Sequence, residues 1–375
     1  MKFILAPDSF KESMTATRAA LAMEKGIKRV LPDAECVIVP MADGGEGTVE
    51  SLVYGSKGKL IKVEVTGPIG KKVTAEYGLL DNGKTAVIEM ASASGLQLLK
   101  AEERNPLRTT TFGTGELIKD ALNQGVTRLL IGIGGSATND GGVGMLQALG
   151  ASFKDRNHIE LSFGGGELDK LEFIDLTNLD SRLSSIEIDV ACDVTNPLIG
   201  EQGASYIYGP QKGATAEMIR LLDHNLTHLA DKIHEYTGKE IAWKEGAGAA
   251  GGLGAGLMAF LNGRLQRGID LVIEYTNLEK RIIGADFVFT GEGSIDGQTI
   301  FGKTPYGVTI TAQKYHIPVI AFAGMVGSGA EELYKHGFMS IVSILKGVTS
   351  LDKALLEGEE NLTFAVENVC RIIRG

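Results

Sequence analysis

Five short apolar runs in this chain end in an acid, a hydroxyl or glycines. KFILA (2–6) leads into Pro7-Asp8-Ser9, and VIVPM (37–41) into Ala42-Asp43-Gly44-Gly45-Glu46-Gly47. RLLIGI (128–133) leads into Gly134-Gly135-Ser136, IDVAC (188–192) into Asp193, and FVFT (287–290) into Gly291-Glu292-Gly293. Carboxylates hold hydrated magnesium, while glycine amides approach phosphate oxygens with no side chain in the way. Any one of these acids serves equally well as a cap on the next helix. Five such ends together point to a metal–phosphate site, because doubly wound sheets bind ligands where their strands end. Asp43 and Glu46, flanked by glycines, suit the metal. Ser9, Gly44, Gly45, Gly134, Gly135, Ser136 and Asn139 suit a substrate or its phosphate. Basic residues are few here: Lys11 lies just past Asp8-Ser9, Lys303 follows the last of these runs, and Arg108 precedes a Thr-rich turn. The six histidines form no constellation; His224 and His228 share a helix face but lack the glutamate of a zincin.

These loops need a scaffold, and the hydrophobic pattern predicts one. A strand at 2–6, a helix over 15–30, a strand at 36–41 and a helix over 46–54 open the chain as β-α-β-α. Segments 59–66 and 72–80 then alternate, and Asn82-Gly83 marks a hairpin, because both turn positions need positive φ. Helices follow near 113–124, 142–150, 215–236 and 252–262, with strands at 128–133 and 186–191. From 285 the opening rhythm returns: strands at 287–290, 318–323 and 340–345, and helices near 305–315, 329–336 and the end. Neither terminus alone has enough strands to bury both faces of a parallel sheet. The expectation is a doubly wound α/β domain built from residues 1–60 plus 285–375, with a mixed α/β domain inserted at 61–284.

Two familiar motifs are weak. Gly297 to Thr304 matches the P-loop pattern, but Gly291 to Asp296 separate it from FVFT and Pro305 follows at once, unlike a P-loop NTPase. Lys303 stays a candidate phosphate contact. Gly246-Ala-Gly248-Ala-Ala-Gly251 matches a dinucleotide fingerprint after a poor strand (EIAWKE), and tight helix packing explains it equally well.

Composition narrows the classes. Hydrophobic residues make up 43% and charged residues 22%, as in a globular protein. A net charge of −10 with no basic stripe excludes nucleic acid as a partner. Cys36, Cys192 and Cys370 are too scattered for a disulfide framework or a zinc site. No leader or membrane span is apparent, so a cytoplasmic location is expected. The fifty glycines imply tight turns or backbone brought close to a ligand.

APDSFKESMTA (6–16), PMADGGEGT (40–48), EMASASGL (89–96), GTGELI (113–118) and IGGSATNDGG (133–142) resemble the type-1 bacterial glycerate kinase family. CDVTNPLIGEQGA (192–204), GAGAAGGLGAG (246–256) and GEGSIDGQTIFGKTPYGV (291–308) extend the resemblance over nearly the whole chain. It implies two α/β domains, one flavodoxin-like, with the active site between them. It also implies phosphorylation of D-glycerate by ATP with Mg2+, 2-phosphoglycerate being the usual product rather than 3-phosphoglycerate. By position, Asp193 and Asp8 are then the leading proton acceptors. Lys11 and Lys303 are the cations for substrate carboxylate and phosphate, and Ser136 with Gly134 and Gly135 gives an amide nest. The partners are small molecules, and the oligomeric state stays open, a homo-oligomer included. Two rivals remain: an NAD-dependent oxidoreductase of a small hydroxy acid, and a non-catalytic sensor of a phosphorylated metabolite.

Overall fold

In the computed structural model, which describes all residues Met1–Gly375, β1 (Lys2–Leu5) and β2 (Glu35–Ile38) are joined by the helix Ala16–Val30. That helix starts where the Thr15 side chain accepts from the Arg18 amide, and Lys28 and Arg29 occupy its last turn. Ala16, Ala19, Ala20, Met23, Ile27 and Val30 form its buried stripe. Gly26 lets it lie against the C-terminal helix Gly358–Arg374: a Cβ there would stand 2.6 Å from the Thr363 carbonyl.

After Lys57 the chain leaves this compact unit, builds a second one over Gly58–Gln266, and returns at Arg267. The second unit holds β3 (Lys59–Thr66), β4 (Lys72–Leu80), β5 (Thr85–Glu89), β6 (Arg128–Gly132), β7 (Ser152–Lys154), β8 (Phe173–Asp175), β9 (Glu187–Ala191) and β10 (Arg264–Gln266). Its main sheet runs β10-β9-β6-β5-β4-β3, while β7 and β8 form a separate ribbon. Strands β10, β9, β6 and β5 are parallel; β4 and β3 are antiparallel additions. The β4–β5 turn holds Asn82 at φ 56° and Gly83 at φ 87°, the conformations that dipeptide favours.

Back in the first unit, β11 (Phe287–Ile295), β12 (Val319–Val326) and β13 (Phe338–Ser343) complete an all-parallel sheet of order β13-β12-β11-β1-β2. In chain order this is 2-1-3-4-5, the flavodoxin-like doubly wound arrangement. Both faces are buried, as an all-parallel sheet requires. Along β12, Ile320 and Phe322 pack with Phe3, Leu5, Met23 and Leu362, whereas Ala321 and Ala323 pack with Leu333 and Phe338. No helix is long and apolar enough to cross a membrane.

Three local features differ from the sequence reading, and a fourth bears out its doubt about the segment before Gly246. The β11 strand continues to Ile295, so only Asp296 separates it from Gly297; the continued pairing Gly291↔Phe322 to Ile295↔Val326 holds it extended. Segment 330–336 is a 3-10 helix, confined between left-handed Gly329 and Gly337. The second crossing between units falls at Arg267 rather than 285, because the helices Gly268–Tyr275 and Leu278–Ile282 pack on Thr304–Gln313. Finally, no strand precedes Gly246. Ala250, Gly251 and Gly252 all have positive φ, and a Cβ on Gly251 would meet the Thr138 carbonyl at 2.0 Å. That glycine run seats a helix on the 138–142 loop.

Candidate active site

In the first unit β1 and β11 lie side by side, and the Asp8 amide donates to the Gly291 carbonyl at 2.8 Å. This register places Asp8 beside the Glu292 segment. Asp8 is 9% exposed. One of its carboxylate oxygens accepts from the Ser9 amide at 2.6 Å, and the other from the Thr304 hydroxyl. Glu292 keeps 13% of its side chain exposed and pairs with Lys303 at 3.3 Å. Lys303 also donates to the Ser294 carbonyl at 3.0 Å. Asp43 sits in the loop after β2, exposed, with one oxygen accepting the Gly45 amide at 3.0 Å. Gly44 there is left-handed, at φ 91°. Glu46 is exposed in the same loop. Lys11 is exposed, its backbone resting against Gly293.

Three acids thus gather where β1, β2 and β11 deliver the chain. Burial, then the negative charge of Asp43, pushes Asp8 up to about 7. Burial pushes Glu292 up to about 7 as well; Lys303 offsets part of this, while Asp8 and Asp43 add to it. Such a cluster is short of positive charge, which favours a cation beside it.

The raised values fix a sign. The folded protein holds protons that the unfolded chain has released, so this stabilisation is complete below pH 4 and is lost as pH rises through 7. For Asp8 alone the shift corresponds to ~4 kcal/mol. Without nucleotide or divalent cation, the melting temperature is expected to fall between pH 5 and 7.5, and Asp8→Asn to flatten that slope. A level wild-type profile across this window contradicts the assignment.

The second unit gathers another set. Adjacent parallel strands β6 and β9 end together (Gly132↔Ala191) and lead into the Gly134–Asp140 loop and Asp193. Gly134, Gly135 and Asp193 are exposed, and Ser136 is 7% exposed. Asn139 is fully buried and donates its side-chain amide to Ser205 at 3.2 Å, so it braces the loop from within. Asp140 anchors the loop's end, accepting from the Thr111 amide and hydroxyl at 2.8 and 2.9 Å and from the Gly142 and Gly144 amides. Burial raises its pKa, these bonds opposing the rise. Lys212 reaches the loop from below, donating to the Ser136 hydroxyl and the Thr138 carbonyl, each at 2.7 Å.

The structure therefore collects Asp8, Ser9, Lys11, Asp43, Gly44, Gly45, Glu46 and Lys303 in one unit, and Gly134, Gly135, Ser136, Asn139 and Asp193 in the other. Sequence reasoning missed Glu292, Thr304, Asp140 and Lys212 as site residues. Glu292 carried a usable signal, since it lies at a strand end like Asp8. Lys212 carried none, standing in an ordinary Pro-Gln-Lys-Gly turn.

The family model described as the glycerate kinase family matches residues 3–374. A protein named glycerate kinase from Halalkalibacterium halodurans is 53% identical over 98% of this chain and 96% of its own. A protein named glycerate 2-kinase from Escherichia coli is 51% identical over 98% of this chain and 97% of its own. A crystal structure assigned as glycerate kinase 2 from Salmonella typhimurium LT2 superposes with a TM-score of 0.91 at 48% identity, covering 100% of this chain and 98% of that one.

Proposed function

Because the chain belongs to the glycerate kinase family, we propose that it transfers the γ-phosphoryl group of ATP to the 2-hydroxyl of D-glycerate, forming 2-phosphoglycerate and ADP. The observation that carries the choice of hydroxyl is the near full-length 51% identity to the protein named glycerate 2-kinase. The choice of donor rests on the acids, lysine and glycines at the strand ends of the flavodoxin-like sheet, the usual ligand edge of such folds.

Phosphoryl transfer asks the protein mainly for positioning and charge neutralisation. Asp193 is the proton acceptor for the glycerate hydroxyl, because it extends from the strand next to the Ser136 loop in the same unit. In the other unit, Lys303 and Lys11 neutralise phosphate oxygens, and Ser9 with the Gly44 and Gly45 amides orients them. No three His, Cys, Asp or Glu side chains are arranged to hold a metal by themselves. That fits magnesium arriving with a nucleotide, which takes one or two protein carboxylates and otherwise keeps phosphates and waters. Asp43, with one oxygen uncommitted to Gly45, and exposed Glu46 suit this, and the crowded charges of Asp8 and Glu292 favour a cation nearby. When bound, Mg2+ spreads the charge developing on the transferred group.

A coupled ADP-release assay over small hydroxy acids, with NMR of the product, tests this reading. ADP release with D-glycerate and a phosphate on C2 is expected. Product phosphorylated on C3 overturns the choice of hydroxyl, and stabilisation by NAD but not by Mg-ATP overturns the donor.

A further inference from the structure

Lys212 is 1% exposed, at the end of the short 3-10 turn Pro210–Lys212 that left-handed Gly213 closes. Its two hydrogen-bond partners, the Ser136 hydroxyl and the Thr138 carbonyl, are both neutral. An ammonium has three donors, so one is unspent. Asp140 is the one carboxylate that acts on it, without forming an ion pair, and Asp140 is already saturated by Thr111, Gly142 and Gly144. Burying an ammonium without a counter-ion is costly, and here burial pushes Lys212 down to about 7 despite Asp140.

A second cation without an ion-pair partner belongs to the segment that packs against Gly213, the residue after Lys212. Arg104 packs its backbone on Gly213: a Cβ there would lie 2.6 Å from the Arg104 carbonyl and 3.0 Å from its Cβ. Its Nε is buried with no hydrogen-bond acceptor, and its guanidinium makes no ion pair. Thr138 Oγ1, on the same loop, is also buried and unpartnered. Two cations, two hydroxyls and the exposed glycines 134 and 135 are more donor capacity than the chain itself uses.

We infer that Lys212 and Arg104, with the Ser136 hydroxyl, form the receptor for the carboxylate of the acceptor acid, which supplies the counter-charge missing from the folded protein. The identity of that acid rests on the kinase reading above. A carboxylate fits better than a nucleotide tail, because the set offers a few fixed donors around one buried cation, and the acid that acts on that cation, Asp140, is already committed to Thr111, Gly142 and Gly144. In the empty protein near pH 8, neutral Lys212 accepts the Ser136 hydroxyl hydrogen. Anion binding draws a proton from solvent onto Nζ, which then donates to Ser136 and frees that hydroxyl for the ligand.

Calorimetric titration of the full chain with D-glycerate at pH 8, in HEPES and in Tris, counts that proton. Uptake of about one proton per glycerate is expected, with affinity declining as pH rises above 7. Lys212→Met is expected to abolish the uptake and Arg104→Met to retain it. Each loses roughly 10- to 100-fold in glycerate affinity, the value of a charge-assisted hydrogen bond, with KM for ATP unchanged. Glycerol, which lacks the carboxylate, is expected not to compete. Unchanged glycerate affinity in Arg104→Met overturns the proposal, as does uptake that persists in a folded Lys212→Met. A KM for ATP that rises while glycerate affinity holds also overturns it, and assigns the site to the donor. Should Lys212→Met not fold, the wild-type proton count and Arg104→Met decide alone. Wild-type protein that binds glycerate with uptake yet releases no ADP keeps this site and sinks the kinase reading; a working kinase with an indifferent Arg104→Met does the reverse.

Discussion

Asp8→Asn is expected to fold normally and lose about three orders of magnitude in kcat, in the range that one preorganised charged group contributes to a transition state. Asparagine keeps the shape of the side chain. Its carbonyl oxygen still accepts from the Ser9 amide, and its amide still meets the Thr304 hydroxyl, which serves as donor or acceptor. What disappears is one negative charge among three. Glu292 then titrates below its present value of about 7, since the Asp8 charge is one of the influences holding it up. The cluster also attracts a cation less strongly. The coupled assay should therefore show a higher Mg2+ concentration for half-maximal rate together with the fall in kcat, and KM for glycerate should move little. A variant turning over within tenfold of wild type at saturating Mg2+ removes Asp8 from the phosphoryl-transfer machinery.

How much of this was legible beforehand depended on the range of each interaction. The β3–β4 pair and the Asn82-Gly83 turn are local, and their bounds follow from alternation and positive φ. The flavodoxin-like unit from both chain ends was readable because neither end could cover a parallel sheet alone. The strand-end acids Asp8 and Asp43 announced themselves by position. By contrast, Thr304 meets Asp8 across 296 residues and Lys212 meets Ser136 across 76, so no window of sequence contains either pair. Their chemistry comes from burial, which a composition or period does not encode. The glycines were ambiguous for a related reason. Gly251 sits in a run that matched a dinucleotide fingerprint and tight helix packing equally well, and it is there because the Thr138 carbonyl lies too close for a Cβ, as the Thr363 carbonyl does at Gly26 within its helix. The end of β11 was misplaced because Gly-Glu-Gly reads as a turn, while its pairing with β12 holds it extended.

Asp193→Asn addresses the step that the anion receptor leaves open, namely who takes the hydroxyl proton. The residue stands exposed two positions past β9, next to the strand that leads into the Ser136 loop. A positioned base contributes about 100- to 10,000-fold. Phosphoryl transfer sits toward the lower part of that range, because a loose transition state leaves the attacking hydroxyl's proton in place until late. The expected result is a kcat lower by a few hundredfold, with KM for ATP and glycerate within a few-fold of wild type, because asparagine preserves the contacts that bind but not the basicity. Binding and chemistry then separate cleanly. The companion measurement is the glycerate affinity of the same variant by calorimetry. A loss confined to affinity makes Asp193 a binding residue for the hydroxyls, and near-normal turnover leaves the proton to be taken elsewhere.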